Sequence, residues 1–364
     1  RNGALKDVHP VVLAAMALRE VTQRAGIDPA LVEDVVMGCV SQVGEQGINI
    51  ARNAVLQAGF PIEVPATTVD RQCGSGQQAI HFAANLIQSG VCDITIGAGV
   101  ESMSRLPIGS SIASGGNPFP PSLMEVYPMV HQGISAEMIA EKWNISRDEL
   151  DAFGLRSHQL AAAAQDAGYF EREILPVSLA DGSVFTRDEG VRRDTTLEKL
   201  AGLQPSFTAA GRITAGSSSQ ISDGAAAVLL MTPEKASELG LRPRARIVAQ
   251  KVVGVDPVLM LTGPIPATKA VLAKAGLTLD DIDLVEINEA FASVVLAWKR
   301  ELQPDMERVN VNGGAIALGH PLGASGTRLM VTLLHELERR GARYGLETMC
   351  CGGGLGTATI IERM

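Results

Sequence analysis

The chain has 364 residues, a net charge of −9, 46% apolar residues and only 4% aromatic ones. That is enough for a sizeable core, and the charge forms no basic block or stripe that would serve nucleic acid. No apolar run reaches the ~18 residues expected of a membrane helix.

The 38 glycines and many alanines suit close helix–sheet packing in an α/β protein. Cys39, Cys73, Cys92, Cys350 and Cys351 fit neither a secreted disulfide framework nor a CxxC metal or redox pair. No bound metal is expected, and a reducing, cytoplasmic setting is the simpler expectation. The chain opens on "RNGALKDVHP" without Met, so a missing targeting signal there means little.

Near residue 25, "AGIDPALVEDVVMG" reads as a helix end, a short loop and an apolar strand. Further on, the β-rich Thr67–Val69 runs into Cys73, then Gly74, Ser75 and Gly76, then an amphipathic helix. Cys73 thus falls at a strand-to-helix turn. The free N–H groups and partial positive charge of the helix terminus lower a thiol's pKa. The small residues after it let a carbonyl approach the backbone. A buried core cysteine is the other reading, and this segment alone leaves both open. "GAGVES" (Gly97–Ser102) lacks the third glycine of a dinucleotide fingerprint and carries no weight.

Residues 103–221 differ from what flanks them: loop-rich, then helical, then polar. Ser146 with Glu149 is a capping-box pattern that opens one helix. The stretch is too long for a connector and is expected to cover a ligand site.

Near residue 275, "AGLTLDDIDLVEIN" repeats the residue-25 pattern at an offset of 275 − 25 = 250, and Ser325–Gly326 repeats Ser75–Gly76 at the same offset. Two similar α/β layers are expected. The strand Leu284–Ile287 breaks into Asn288 and Glu289, which reads as a strand-end site and, compatibly, as a helix start with Asn288 as N-cap and Glu289 in the first turn. His320 lies in a run of Gly, Ala and Pro with few side chains to pack against. Residue 323 is the 250-offset partner of Cys73, so the duplication predicts that the two turns meet.

At the end of the chain "ETMCC" reads as a strand, "GGGLG" as a turn and "TATIIER" as the returning strand. Strand alternation sends Cys350 and Cys351 to opposite faces, so one thiol is expected at a site and the other in packing. Neither further metal ligands nor a phosphate-binding Lys accompany them. A thiol beside bare backbone N–H groups fits acyl chemistry with an oxyanion hole. Two thiols, an imidazole and an amide then suggest that one Cys is acylated, His activates it, and the second Cys moves a proton at carbon.

The motifs "RQCGSGQQA", "ESMS", "ISDGAAAVLLM", "GVDP", "GPIPAT", "NEAFA", "NVNGGAIALGHPLGASG" and "MCCGGGLG" resemble those of thiolases over nearly the whole chain. The resemblance implies a five-layered αβαβα fold. Its N-terminal half would be 1–102 plus 222–244, its loop domain 103–221 and its C-terminal half 245–364. It implies Cys73 as the acylated nucleophile, His320 as its activator, and Asn288 as the holder of a water completing one oxyanion hole. Cys350 would be the acid/base, and the N–H groups of Cys73 and Gly352 the second hole. His131, Arg192, Leu203, Phe207, Ala215 and Ser219 would contact CoA or its pantetheine arm, with Ala290 and Phe291 in the same pocket.

The resemblance also implies CoA and acyl-CoA as partners, no permanently bound cofactor, and a homodimer or homotetramer. "VHQG" stands where short-chain biosynthetic members often have "HMG", so Gln132 alters a pocket wall. "CGSGQQA", "SSQISDG" and "NEAFASVV" look more like degradative lipid or steroid side-chain thiolases. The alternatives are a biosynthetic acetoacetyl-CoA thiolase, a ketoacyl synthase-like enzyme, a non-catalytic acyl-CoA carrier, or a redox protein using Cys350–Cys351.

Overall fold

The computed structural model describes residues 3–113 and 115–364. In chain order the elements that frame the site are α1 (Pro10–Ala25), β1 (Asp34–Gly38), α2 (Ile50–Gln57), β2 (Ala66–Val69), α3 (Ser75–Gln88) and β3 (Ile94–Ser102). The covering region carries α4 (Gln132–Lys142) and α5 (Arg147–Asp166). Then follow β4 (Asp223–Met231), β5 (Ala245–Gly254), α6 (Pro264–Ala275), β6 (Leu284–Ile287), α7 (Ala292–Leu302), α8 (Ser325–Arg340), β7 (Tyr344–Cys351) and β8 (Leu355–Arg363).

The strands form two four-stranded sheets, ordered β2-β1-β3-β4 and β5-β8-β7-β6. β1 pairs in parallel with β2 and β3, and β4 closes that sheet antiparallel to β3. The second sheet repeats the arrangement: β6 is parallel to β7, and β8 is antiparallel to β7.

Helices α1 and α2 cover one face of the first sheet, α3 and α8 lie between the sheets, and α6 and α7 cover the far face. The order is therefore αβαβα. The near-continuous apolar runs of β1 and β3 are what a strand buried on both faces requires. Leu13, Ala14 and Leu18 of α1 are buried, and Ala14 and Leu18 pack with Val35, Met37, Ile94 and Ile96. Between the sheets Ile80 of α3 meets Met330, Leu333 and Leu337 of α8. Full burial of one such aliphatic side chain contributes about 1.5–3 kcal/mol.

The duplication is visible element by element. α1 and α6 end on left-handed glycines, Gly26 and Gly276 (φ 69° and 68°), 276 − 26 = 250 residues apart. α3 and α8 start at Ser75 and Ser325, and β3 and β7 at Ile94 and Tyr344, so 325 − 75 and 344 − 94 are again 250. The covering helices α4 and α5 carry Ile139, Leu150 and Phe153 into one cluster with Val294 and Trp298 of α7. The Ser146–Glu149 capping box opens α5 as expected: Glu149 N–H donates to Ser146 Oγ at 3.2 Å, and Ser146 N–H to Glu149 Oε2 at 2.8 Å.

The halves meet where their equivalent turns cross. A Cβ on Gly323 would stand 2.5 Å from Val100 O, 2.7 Å from Cys39 Cα and 2.8 Å from Gly38 O. All three are backbone atoms, which cannot swing aside. Gly323→Ala is therefore expected to destabilise by about 3 kcal/mol or more, beyond the usual range for overpacking by one methyl. Urea denaturation checks this; a midpoint equal to that of the parent chain would contradict the packing described.

Candidate active site

Cys73 sits in the turn between β2 and α3, with its own residue 3% exposed. Gln72 before it adopts φ 49°, a left-handed conformation rare outside glycine, and its N–H donates to Asp70 Oδ1 at 2.6 Å. That local bond offsets part of the strain and turns the next residue inward. α3 begins at Ser75 with Gly74 as N-cap, so the thiol does stand beside the helix start.

The expected fall in its pKa does not result. Burial pushes the Cys73 thiol up to about 11, against hydrogen bonds from Gly352 N–H, its own N–H and the Gln132 side chain. The charge of Asp70 adds to the rise. Desolvation of a full thiolate outweighs a few donors. In the free protein the group is a neutral thiol that must lose its proton during attack.

His320, 4% exposed, lies in the turn before α8. Its Nδ1 is 2.5 Å from Ser325 Oγ, and that hydroxyl donates to Pro321 O at 2.9 Å. The hydroxyl's proton is thus spent, so Nδ1 carries the imidazole proton and donates. Nε2 keeps its lone pair, 3.3 Å from Asn288 Nδ2. Burial, then the charge of Arg328, lowers the His320 pKa to about 3, leaving the ring neutral and able to accept a proton. No hydrogen bond joins His320 to Cys73 among the described residues. Their turns touch through backbone: a Cβ on Gly76 would stand 2.7 Å from Thr327 N and 2.9 Å from Gly323 O.

Asn288 is fully buried at the end of β6, and its Oδ1 has no partner among the described residues. It is not a helix cap. The N-cap of α7 is Phe291, three residues later, so the turn after β6 is longer than the sequence suggested. Glu289 instead braces that turn. It accepts from Ser157 Oγ of α5 at 2.6 Å, from Asn310 Nδ2 at 2.9 Å and from Ile316 N–H at 3.2 Å. Covering region, strand end and the loop leading to His320 are tied to one carboxylate.

Glu101, the first residue of "ESMS", does the same beneath the Cys73 side. It accepts from Val40 N–H, Ser41 N–H, Gln46 Nε2 and Gly323 N–H at 2.8–3.0 Å. Sequence reasoning passed over both glutamates as bracing groups. A carboxylate at or just past the carboxyl end of an apolar strand was the available signal.

Cys350 and Cys351 are both fully buried and free. Burial pushes both thiols up, and a thiolate at Cys73 would add to each rise. Cys351 therefore does not stand clear of the nucleophile on a remote face. A Cβ on Gly74 would stand 2.6 Å from its sulfur, which is bonded to Gly74 N–H and to the Thr357 side chain. Cys351 fills the space behind the Cys73 turn, while Gly352 N–H is among the donors that favour the Cys73 thiolate.

In the covering region His131 caps α4, its Nδ1 accepting from Gly133 N–H at 3.1 Å. Its ring lies 5.5 Å from that of Phe207, which meets Phe291 edge-on at 5.8 Å. Ser219 N–H donates to Ala290 O at 3.0 Å. Leu203 lies against Gly216 beside the exposed Ala215. Arg192 is exposed; its N–H donates to His158 Nδ1 at 3.1 Å, and no hydrogen bond or ion pair links it to the His131–Phe207–Phe291 group among the described residues. No helix among the described residues is long and apolar enough to cross a membrane.

A duplicated α/β frame with a buried thiol and a neutral imidazole at equivalent turns has counterparts among known proteins. Residues 1–234 match a family model described as the thiolase N-terminal domain, and residues 241–363 match the thiolase C-terminal domain. A steroid 3-ketoacyl-CoA thiolase of Mycobacterium tuberculosis is 53% identical over 373 residues, spanning 100% of this chain and 91% of the relative. A 3-ketoacyl-CoA thiolase of Bacillus subtilis is 45% identical over 374 residues, spanning 100% and 95%. The crystal structure of the Bacillus anthracis acetyl-CoA acetyltransferase superposes with a TM-score of 0.91 at 44% identity, covering 100% of this chain and 95% of that one. The chain belongs to the thiolase family. It is an acyltransferase with thiolase activity.

Proposed function

We propose that the chain cleaves 3-oxoacyl-CoA with CoA as co-substrate, and runs the reverse Claisen condensation with the same groups. The meeting of the Cys73 and His320 turns through Gly76 and Gly323, with both Cys73 and Cys350 buried and Asn288 Nδ2 3.3 Å from His320 Nε2, carries the reading. Cys73 gives its proton to His320 Nε2, directly or through the substrate-bound arrangement, and attacks the C3 carbonyl. The C2–C3 bond breaks, its electron pair passes to C2, and the Cys350 thiol protonates that carbon to release acetyl-CoA. His320 returns its proton to the Cys350 thiolate. A second CoA thiol then gives its own proton to His320 and attacks the acyl-Cys73 thioester, and Cys73 leaves and regains that proton.

The N–H groups of Cys73 and Gly352 serve one oxyanion; His320 and a water held by Asn288 serve the other. The orphaned Asn288 Oδ1 supports that water, since a buried acceptor needs a donor. Asn288→Ala is expected to lower kcat about 10²-fold, the cost of one oxyanion donor, with the melting temperature nearly unchanged. Steady-state thiolysis with a parallel thermal melt measures both; a full rate would remove Asn288 from the mechanism.

The pantetheine arm would run past His131, Phe207, Leu203, Ala215, Ser219, Ala290 and Phe291, with Arg192 toward the nucleotide end. In this reading 1–102 plus 222–244 form the N-terminal half, 103–221 the loop domain and 245–364 the C-terminal half. The assembly is a homodimer or homotetramer working in the cytoplasm, with no permanently bound cofactor. The 53% identity to a steroid 3-ketoacyl-CoA thiolase supports a degradative role on bulky acyl chains. Thiolysis and condensation assayed across acetoacetyl-, medium-chain, long-chain and steroid-side-chain 3-oxoacyl-CoA test this. A preference for acetoacetyl-CoA condensation would favour the biosynthetic alternative.

A further inference from the structure

Gln132 is the first residue of α4, and the turn that carries it is fixed on both sides. His131 before it caps the helix and stacks on Phe207; Gly133 after it packs so closely on Phe207 that a Cβ would overlap the ring. The Gln132 side chain therefore reaches inward from the covering region. A Cβ built on Gly352 would stand 3.0 Å from Gln132 Nε2 and 3.2 Å from Gln72 Oε1. The two amides meet over Gly352, and the Gln132 side chain is, with Gly352 N–H and the Cys73 N–H, one of the donors that oppose the rise in the Cys73 pKa.

We propose that Gln132 is a further catalytic residue: its Nε2–H donates to Cys73 Sγ whenever that sulfur carries negative charge. The sulfur carries negative charge twice per turnover, as it loses its proton in the attack and again when CoA displaces it from the acyl group. Gly352 N–H and the Cys73 N–H must leave the sulfur to serve the thioester oxygen, whereas a side-chain amide stays with the sulfur. Donors to the ionised form favour it. The covering region thereby takes part in activating the nucleophile, so that thiol activation depends on α4 being seated. This rests on Cys73 being the nucleophile.

The test is alkylation by iodoacetamide at pH 8 without CoA, in the parent chain and in Gln132→Met and Gln132→Leu, with the modified cysteine located by peptide mass spectrometry. Both replacements match the side chain in size without donating, and two are used so that one remains if the other misfolds, as thermal melts will show. Loss of one donor to a thiolate raises its pKa by about one unit, so Cys73 should react about tenfold more slowly in both variants. A residue that merely packs predicts the opposite sign, since a loosened wall admits reagent faster. Equal or faster alkylation of Cys73 overturns the proposal. If a cysteine other than Cys73 is the reactive one in the parent chain, the nucleophile assignment fails instead, and the two failures are separable.

Discussion

Cys73→Ala is expected to reduce thiolysis by about 10⁴-fold or more, as loss of a covalent nucleophile does elsewhere, and to abolish the acetyl adduct formed from acetyl-CoA. No other group replaces it: Cys351 is buried behind the turn and bonded to Gly74 N–H and Thr357. Cys350 stands at the end of β7 with its own acidity suppressed by burial. The substitution removes only a sulfur from a site already 3% exposed, so the fold should survive. Intact-protein mass spectrometry after incubation with acetyl-CoA reads the adduct, and circular dichroism the fold. An adduct that persists on Cys73→Ala would move the nucleophile elsewhere and undo the mechanism.

Cys350→Ala is expected to split the reaction into its halves. Carbon–carbon cleavage requires a proton at C2 of the departing acetyl-CoA, and general acid–base groups contribute about 10²–10⁴-fold. Transfer of an acetyl group between CoA and Cys73 moves no proton at carbon. The variant should therefore still exchange labelled CoA into acetyl-CoA near the parent rate while losing thiolysis of acetoacetyl-CoA. Cys351→Ala should keep most of both. Equal loss of exchange and cleavage in Cys350→Ala would mean that Cys350 acts on Cys73 rather than on carbon. Strong loss in Cys351→Ala would mean that packing behind the Cys73 turn controls the chemistry.

Much of the fold was legible because the same local signals recur at one spacing. Ala-Gly helix ends at Gly26 and Gly276 and Ser-Gly helix starts at Ser75 and Ser325 are backbone requirements, and such requirements show in sequence. The turns bearing Cys73 and His320 were legible for the same reason. What stayed hidden depends on distance along the chain. The acidity of Cys73 is set by how completely it is buried, which no local pattern encodes. The cap reading of Asn288 stayed open beside the strand-end site because a polar residue after a strand looks alike whether a helix starts one residue later or four. Glu101 and Glu289 gather donors from segments up to 222 and 132 residues away. Gln132 was noticed as an altered pocket wall, but its approach to Gly352, 352 − 132 = 220 residues later, appears only in three dimensions.

The crowding around Gly323 has a consequence for the architecture as a whole. Position 323 is the counterpart of Cys73 in the other half, since 323 − 73 = 250, and there the neighbouring backbone leaves no volume for any side chain. A frame of near-twofold symmetry therefore supports one reactive centre rather than two, and the asymmetry is steric before it is chemical. Writing a cysteine into the second turn would not create a twin nucleophile; it would wedge the halves apart. The half that gave up its side chain supplies the imidazole, so the two copies divide the labour of a single reaction between them.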